Sequence, residues 1–129
     1  MEKQTSLFIV DDSEIERSML ADYLGKYKQL DIKEFSSGEY CLKEIITGNL
    51  REPDFILMDY FLDGSGSKDG LEILSKLKEV SPDTKVIMLT SVNNERIKNL
   101  AKTKGAFDYV VKGPTSHQQI DDILKPHLN

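Results

Sequence analysis

The stretch Pro53-Asp54-Phe55-Ile56-Leu57-Met58-Asp59 decides the fold of this chain, because four apolar residues run directly into a carboxylate. A short continuous apolar run between turn residues is typical of a strand buried on both faces of a parallel sheet. In open parallel sheets, ligands bind just beyond the carboxyl ends of the strands. Asp59 stands at that end. It is therefore either a candidate functional residue or simply the beginning of a loop, where Asp is common.

Four other apolar runs flank this strand, and segments with helical spacing separate them. The runs predict strands at residues 6–10, 31–35, 85–89 and 107–111, with 31–35 as a charged edge strand. Capping-box spacings predict helix starts near Ser13, Ser36, Asp69 and Thr115, which are followed three residues later by Glu16, Glu39, Glu72 and Gln118. Helical spacing predicts a buried apolar stripe on the first helix that includes Ile15, Met19, Leu20 and Leu24, and an inward-facing Leu100 on the fourth helix. The alternation predicts an α/β fold: a doubly wound, five-stranded parallel sheet of order 2-1-3-4-5 with five helices, as in flavodoxin-like proteins.

Length and composition limit the classes of protein that the chain can form. With 129 residues, 39% hydrophobic, it is long enough for one globular domain but too short for two. Its net charge of -5, without a basic run, argues against direct nucleic-acid contact, and no apolar run is long enough to span a membrane. The single cysteine, Cys41, is expected to be buried on a helix, and its isolation fits a cytoplasmic location.

The carboxyl ends of the predicted strands carry compatible chemical groups. Asp11 and Asp12 follow the first strand, Asp59 the third, Thr90 the fourth and Lys112 the fifth. In the predicted order, the first and third strands are neighbours at the topological switch point, so their carboxylates are expected to repel one another. Oxygen ligands of this kind favour Mg²⁺, and the lysine adds a mobile positive charge.

This set of groups suits phosphoryl transfer. Asp59 can act as a nucleophile that forms an acyl phosphate, while Mg²⁺ and Lys112 neutralise phosphoryl oxygens and Thr90 donates a hydrogen bond to one of them. Each residue alone has an ordinary explanation, such as helix capping for Asp11 and Asp12. Four strand ends with matching chemistry favour a functional site.

These residues resemble the receiver domains of two-component response regulators. The similarity lies in Asp11-Asp12, Met58-Asp59, Leu89-Thr90-Ser91 and the stretch 105–112, and it extends over essentially the whole chain. The resemblance implies a single receiver domain over residues 1–129, with Asp59 phosphorylated by a sensor histidine kinase or a histidine phosphotransfer protein. It implies a phosphoacceptor that promotes its own phosphorylation and dephosphorylation, not an enzyme acting on other substrates.

The resemblance also implies roles for individual site residues. Asp12, Asp59 and the backbone carbonyl of Phe61 are expected to bind Mg²⁺ directly, and Asp11 through water. Thr90 and Tyr109 correspond to the family's switch pair, which changes the face formed by the fourth helix, the fifth strand and the fifth helix.

The lifetime of the acyl phosphate is expected to depend on two further positions. In the family, the side chains at Phe61 and Val92 border the approach of the attacking water. Neither side chain can orient water by hydrogen bonding, so slow hydrolysis of phospho-Asp59 is predicted.

Lys98, Lys102 and Lys104 make part of the switching face basic. This face is expected to bind either an acidic partner or a second copy of the chain in a symmetric dimer. The sequence does not identify the kinase or the downstream target. It also leaves open whether the chain is a stand-alone regulator or the receiver of a longer protein.

Two departures from the family pattern concern loops of the site. The segment 63–70 is longer and richer in Gly and Ser than is usual, and Gly113 stands where the family has a proline after the lysine. A cis bond before a non-proline residue costs about 2.5–4 kcal/mol. A different turn, with Pro114 as the first helical residue, is therefore predicted after Lys112.

Two other classes of protein share part of this pattern, but each requires a feature that the chain lacks. A haloacid-dehalogenase-like hydrolase also uses an Asp nucleophile after a buried strand, but it requires a second Asp where this chain has Phe61. A flavin carrier of similar strand order requires a glycine- and hydroxyl-rich phosphate loop after the first strand, where Asp11 and Asp12 would repel phosphate.

Overall fold

The computed structural model describes residues 4–60, 70–91 and 93–128. The strands are β1 (Thr5–Val10), β2 (Leu30–Phe35), β3 (Phe55–Tyr60), β4 (Lys85–Thr90) and β5 (Asp108–Val111). The helices are α1 (Glu14–Leu24), α2 (Gly38–Ile46), α3 (Gly70–Val80), α4 (Glu95–Thr103) and α5 (Ser116–Leu124), followed by a 3₁₀ turn at Lys125–His127. All strand pairs are parallel and their order is β2-β1-β3-β4-β5, which confirms the prediction. None of the helices in the described residues has the length and hydropathy of a membrane-spanning helix.

Alternating side chains of the central strands enter two separate cores, one on each face of the sheet. Phe8 and Ile56 pack with α2, α3 and α4 on one face, whereas Leu7 and Leu57 pack with α1 and α5 on the other. This division follows from the two-residue period of a strand. Cys41 is fully buried in the first core, as predicted, and burial raises the pKa of its thiol to about 12. Two-sided burial fixes the register that brings the ends of β1 and β3 side by side.

Three apolar side chains that were predicted to be buried on helices are exposed. Ile15 and Met19 were predicted to share the buried stripe of α1, but they are 74% and 57% exposed. At about 100° per residue, they lie on the side of α1 away from Leu20 and Leu24, which are buried. Leu100 of α4, predicted to face inward, is also exposed.

Two predicted helix starts were wrong. The N-cap of α2 is Ser37, whose hydroxyl accepts the Tyr40 N–H, and not Ser36. Pro114 is not the first residue of α5, which begins at Ser116. In the turn between β5 and α5, Ser116 donates its hydroxyl hydrogen bond to the Gly113 carbonyl at 2.8 Å, and among the described residues every peptide bond is trans. The predicted cap at Asp69 lies outside the described residues.

Candidate functional site

The carboxyl edge of the sheet brings together Asp11, Asp59 and Lys112, as the strand ends predict. Lys112 Nζ lies 3.0 Å from Asp59 Oδ1 and 4.0 Å from Asp11 Oδ2. A further residue, Glu16 of α1, joins them, with Oε2 at 2.8 Å from the same Nζ. The site therefore consists of three carboxylates arranged around one ammonium group.

Asp59 is the most buried carboxylate of this group. It is the last but one residue of β3, opposite Leu89 of β4, and its side chain is only 4% exposed. Its Oδ1 faces Lys112, while its Oδ2 is buried and has no hydrogen-bond partner among the described residues. Burial raises the pKa of Asp59 above its ordinary value, although Lys112 acts in the opposite direction. A buried carboxylate oxygen without a partner is costly, so Oδ2 is the atom that a bound cation would satisfy.

Asp11 is buried at the end of β1 and is held by its neighbours in sequence. Its Oδ1 accepts a hydrogen bond of 2.8 Å from the Ser13 N–H, and its carbonyl accepts one of 2.6 Å from Arg17 Nη1. Burial raises the pKa of Asp11 to about 7; the Ser13 hydrogen bond opposes this rise and the charge of Asp59 adds to it. A divalent cation beside both carboxylates would reverse this effect by favouring their charged forms.

Lys112 is positioned by the backbone at the end of β5. Its N–H donates a hydrogen bond of 2.7 Å to the carbonyl of Thr90, so the residue is fixed against the end of β4. Burial lowers the pKa of its ammonium, but the hydrogen bonds to Glu16 and Asp59 outweigh burial and raise it above the ordinary value. Lys112 is therefore held in its charged form, which is the form that can neutralise an anion.

Glu16 was predicted only as the second half of a capping box with Ser13. The first half of that motif is present, because Ser13 Oγ accepts the Glu16 N–H at 3.2 Å. The reciprocal bond is replaced: the Ser13 N–H donates to Asp11 Oδ1, and the Glu16 carboxylate pairs with Lys112, which lowers its pKa. The sequence contained no signal for this contact because the two residues are 96 positions apart.

Thr90 and Tyr109 lie in contact on neighbouring strands. Thr90 ends β4 and is fully buried, and Tyr109 as a whole residue is 8% exposed. The two side chains share a hydrogen bond; burial raises the pKa of the Tyr109 hydroxyl and this bond opposes the rise. Tyr109 packs in the same core as Phe8 and Met88, so its ring is turned inward.

Three predicted site residues are not placed in this cluster. Asp12 is exposed and is not part of the carboxylate group formed by Asp11, Glu16 and Asp59. Phe61 and Val92 lie outside the described residues. The metal-ligand roles of Asp12 and Phe61 and the lifetime role of Phe61 and Val92 stay predictions.

A cleft of about 260 Å³ opens beside the cluster between α1 and the turn that leads into α5. Its lining combines charged residues of the site with apolar and polar residues of these elements: Asp11, Glu16, Met19, Leu20, Leu89, Lys112, Gly113, Ser116 and His117. The cleft makes Lys112 and the neighbouring carboxylates accessible to a small anion or to the side chain of a partner.

The three carboxylates can offer oxygens that lie within 4.8 Å of one another, which is a spacing suited to one hard cation. Asp59 Oδ2, which lacks a hydrogen-bond partner within residues 4–60, 70–91 and 93–128, supports this fit. Fold and site together define a doubly wound α/β protein with an acidic, lysine-containing site at its topological switch point.

Comparison with known proteins identifies the family. The sequence profile described as "Response regulator receiver domain" matches residues 7–125, and the chain belongs to this family. It is thus a receiver domain of the response regulators of two-component signalling.

Individual relatives agree with this assignment. The response regulator protein VraR of Staphylococcus aureus (strain NCTC 8325 / PS 47) is 32% identical over 119 residues, which cover 92% of this chain and 54% of VraR. The chain thus spans about half the length of the curated relatives it matches.

Solved structures show the same fold. The Mn(2+)-bound form of response regulator Rcp1 has a TM-score of 0.83 at 19% identity and covers 97% of this chain and 95% of its own. A Burkholderia pseudomallei response regulator with a phosphorylated aspartic acid, calcium ion and citrate has a TM-score of 0.75 at 21% identity and covers 92% of this chain and 65% of its own.

Proposed function

We propose that this receiver domain accepts a phosphoryl group on Asp59 in a Mg²⁺-dependent reaction, from a sensor histidine kinase or a histidine phosphotransfer protein. The observation that carries the proposal is the state of the Asp59 carboxylate. It is buried, one oxygen faces the Lys112 ammonium at 3.0 Å, and the other has no hydrogen-bond partner among the described residues. A buried carboxylate that faces an ammonium group with one oxygen keeps its other oxygen available for bonding.

In the proposed reaction, an Asp59 oxygen attacks the phosphorus atom of a phosphohistidine. The phosphorus–nitrogen bond breaks, the imidazole nitrogen leaves with the electron pair, and an acyl phosphate forms on Asp59. Lys112 neutralises charge on the phosphoryl oxygens, and Thr90 at the end of β4 donates a hydrogen bond to one of them. The chain therefore acts as the acceptor of the group and not as an enzyme that turns over an external substrate.

Mg²⁺ would be held by Asp12, Asp59 and the carbonyl of Phe61, with Asp11 acting through water. The cation would supply positive charge next to the transferred phosphoryl oxygens. Two observations support a divalent ion here: Asp11 and Asp59 lie close together, and Asp59 Oδ2 has no hydrogen-bond partner in the part of the chain that the structure describes. The titles of two structural neighbours name bound divalent ions, calcium in one and manganese in the other.

Phosphorylation is proposed to act on partners through Thr90 and Tyr109. The existing hydrogen bond between these two side chains joins the end of β4 to β5, so a shift of the Thr90 hydroxyl toward a phosphoryl group changes what holds the Tyr109 ring. The surface of α4, β5 and α5 would then differ between two states. The exposed side chains of Lys102 and Lys104 on this face fit an acidic partner or a symmetric dimer contact.

A phosphodonor assay tests the proposed function. The chain is incubated with acetyl phosphate and Mg²⁺, and its intact mass is measured. We expect the mass of one phosphoryl group to be added to the wild type and to Asp83→Asn, an exposed turn variant that serves as a control, and not to Asp59→Asn. An adduct that persists in Asp59→Asn, or no adduct in the wild type, would contradict the proposal.

A further inference from the structure

Glu16 makes the shortest contact with the Lys112 ammonium among the three carboxylates of the site. The distance from Lys112 Nζ is 2.8 Å to Glu16 Oε2, 3.0 Å to Asp59 Oδ1 and 4.0 Å to Asp11 Oδ2. Glu16 differs from the other two in its surroundings, because its side chain is 50% exposed whereas theirs are 4% and 6% exposed. It is therefore the carboxylate that can leave Lys112 for water at the smallest cost.

The local structure of α1 leaves Glu16 available for this contact. At the third position of a helix, a Glu ordinarily turns back to the N–H of the N-cap residue. Here Asp11 Oδ1 already accepts the Ser13 N–H at 2.8 Å. The Glu16 side chain is thus directed over the carboxyl edge of the sheet, where it meets Lys112 on the rim of the 260 Å³ cleft.

We propose that Glu16 is a positioning residue that holds the Lys112 ammonium in the unphosphorylated site and competes with the phosphoryl group for it. This inference rests on the proposed function of Asp59. When an Asp59 oxygen bonds to phosphorus, the new phosphoryl oxygens need the charge of Lys112, and the contact with Glu16 is the one that is given up. Glu16 thereby opposes phosphorylation, while its negative charge favours the binding of a divalent cation nearby.

Two substitutions distinguish the effect of the contact between Glu16 and Lys112 from the effect of the Glu16 charge. Glu16→Gln removes the charge at nearly constant size, and Glu16→Asp keeps the charge but shortens the side chain by one methylene, so that it no longer reaches Lys112 as closely. Glu14→Gln is the matched control, because Glu14 is an exposed acidic residue in the same helical turn that is outside the carboxylate group.

Two measurements are made on each variant. Mg²⁺ affinity is measured by calorimetry without a phosphodonor, and the rate of phosphorylation by acetyl phosphate is measured at saturating Mg²⁺. One unit charge a few Å away, screened as in water, changes an equilibrium by about threefold to tenfold. We therefore expect Glu16→Gln to bind Mg²⁺ more weakly than the wild type by about that factor. We expect the same variant to be phosphorylated faster by a similar factor. We expect Glu16→Asp to be phosphorylated faster as well, while its Mg²⁺ affinity stays within about twofold of the wild type.

Several outcomes would overturn the inference. Glu16→Gln could match Glu14→Gln in both measurements, or it could be phosphorylated more slowly than the wild type, which would mean that Glu16 assists Lys112. A wild-type rate in Glu16→Asp would show that the contact itself has no effect. These outcomes leave the proposed function intact, whereas a wild-type chain that takes up no phosphate contradicts the proposed function itself.

Discussion

Lys112 is the residue that connects the carboxylates of the site, and its contacts differ in strength. Its distance to Glu16 is the shortest, at 2.8 Å, yet half of the Glu16 side chain is in water. Asp59 lies 3.0 Å away and is 4% exposed, so its attraction to the ammonium is screened much less. The Asp59 contact therefore carries more of the electrostatic energy, and the Glu16 contact is the more readily exchanged.

The raised pKa of Asp11 predicts an unusual dependence of stability on pH in the absence of metal. Its folded value is about 7 against a reference of 3.8, so the folded state binds more protons than the unfolded state between these two values. The contribution of Asp11 to the free energy of unfolding is therefore full below pH 3.8, falls as pH rises to about 7, and is level above that. Urea unfolding in the presence of a chelator, repeated at several pH values, measures this change in the free energy of unfolding.

Asp11→Asn is expected to remove this fall, because Asn does not titrate. Asp83→Asn in an exposed turn is expected to retain it. The same pH dependence in Asp11→Asn and in the wild type would show that Asp11 is not the group responsible.

The side chains at Phe61 and Val92 are predicted to slow the hydrolysis of phospho-Asp59. Positioning of the attacking water by a polar side chain is typically worth roughly 10²–10⁴-fold in rate, and neither residue can provide it. Phe61→Asn and Val92→Glu are therefore expected to lose phosphate faster than the wild type, in a time course of phosphoprotein after removal of the phosphodonor. If both variants keep the wild-type lifetime, shielding by these residues does not set it.

Substitution by alanine is predicted to have opposite effects on stability at two glycines next to the site. At Gly70, the first residue of α3, an added Cβ would overlap the buried ring of Tyr60, and such overpacking costs about 1–3 kcal/mol. At Gly113, an added Cβ would meet no atom within 4 Å and the backbone is outside the left-handed region. Gly113→Ala is therefore expected to stabilise the chain by about 0.4–1 kcal/mol through the unfolded state. Urea unfolding of Gly70→Ala and Gly113→Ala compares the two, and equal stabilities would contradict these contacts.

Local sequence patterns predict the central strands well, but they do not predict which side of a helix is buried. The three central strands, β1, β3 and β4, were predicted to within about a residue because their continuous apolar runs are buried on both faces. The exposure of Ile15 and Met19 was not predicted, because apolar residues occur on two sides of α1 and only the side that carries Leu20 and Leu24 is buried. Asp121 was missed for a similar reason: it is buried on α5 and binds Lys26 and Tyr27, which lie about 95 residues earlier.

Across the whole domain, the strand order and the functional edge followed from the sequence, because parallel alternation and right-handed crossovers leave few topologies. The carboxyl ends of the strands meet at one edge of the sheet. The sequence therefore predicted that the three residues at these ends, Asp11, Asp59 and Lys112, lie close together. The participation of Glu16 could not be predicted, since it depends on the angle between α1 and the sheet and on the use of the Ser13 N–H by Asp11.

Divalent cations are predicted to stabilise the folded domain. Binding to the folded state alone adds about 1.4 kcal/mol at ten times the Kd, which raises Tm by about 5 °C for a chain of this size. A melting curve in millimolar Mg²⁺ compared with one in chelator measures this shift, and Asp12→Ala is expected to remove most of it. Equal melting with and without Mg²⁺ in the wild type would contradict the metal site.

The central claim is that Asp59 accepts a phosphoryl group with the help of a divalent cation. The most direct measurement is the intact mass of the wild-type chain after incubation with acetyl phosphate, with Mg²⁺ and with chelator in parallel, followed by mapping of the modified peptide. We predict one added phosphoryl group in Mg²⁺, located on Asp59, and none in chelator. A phosphoryl group on another residue, or equal phosphorylation in chelator, would contradict the account.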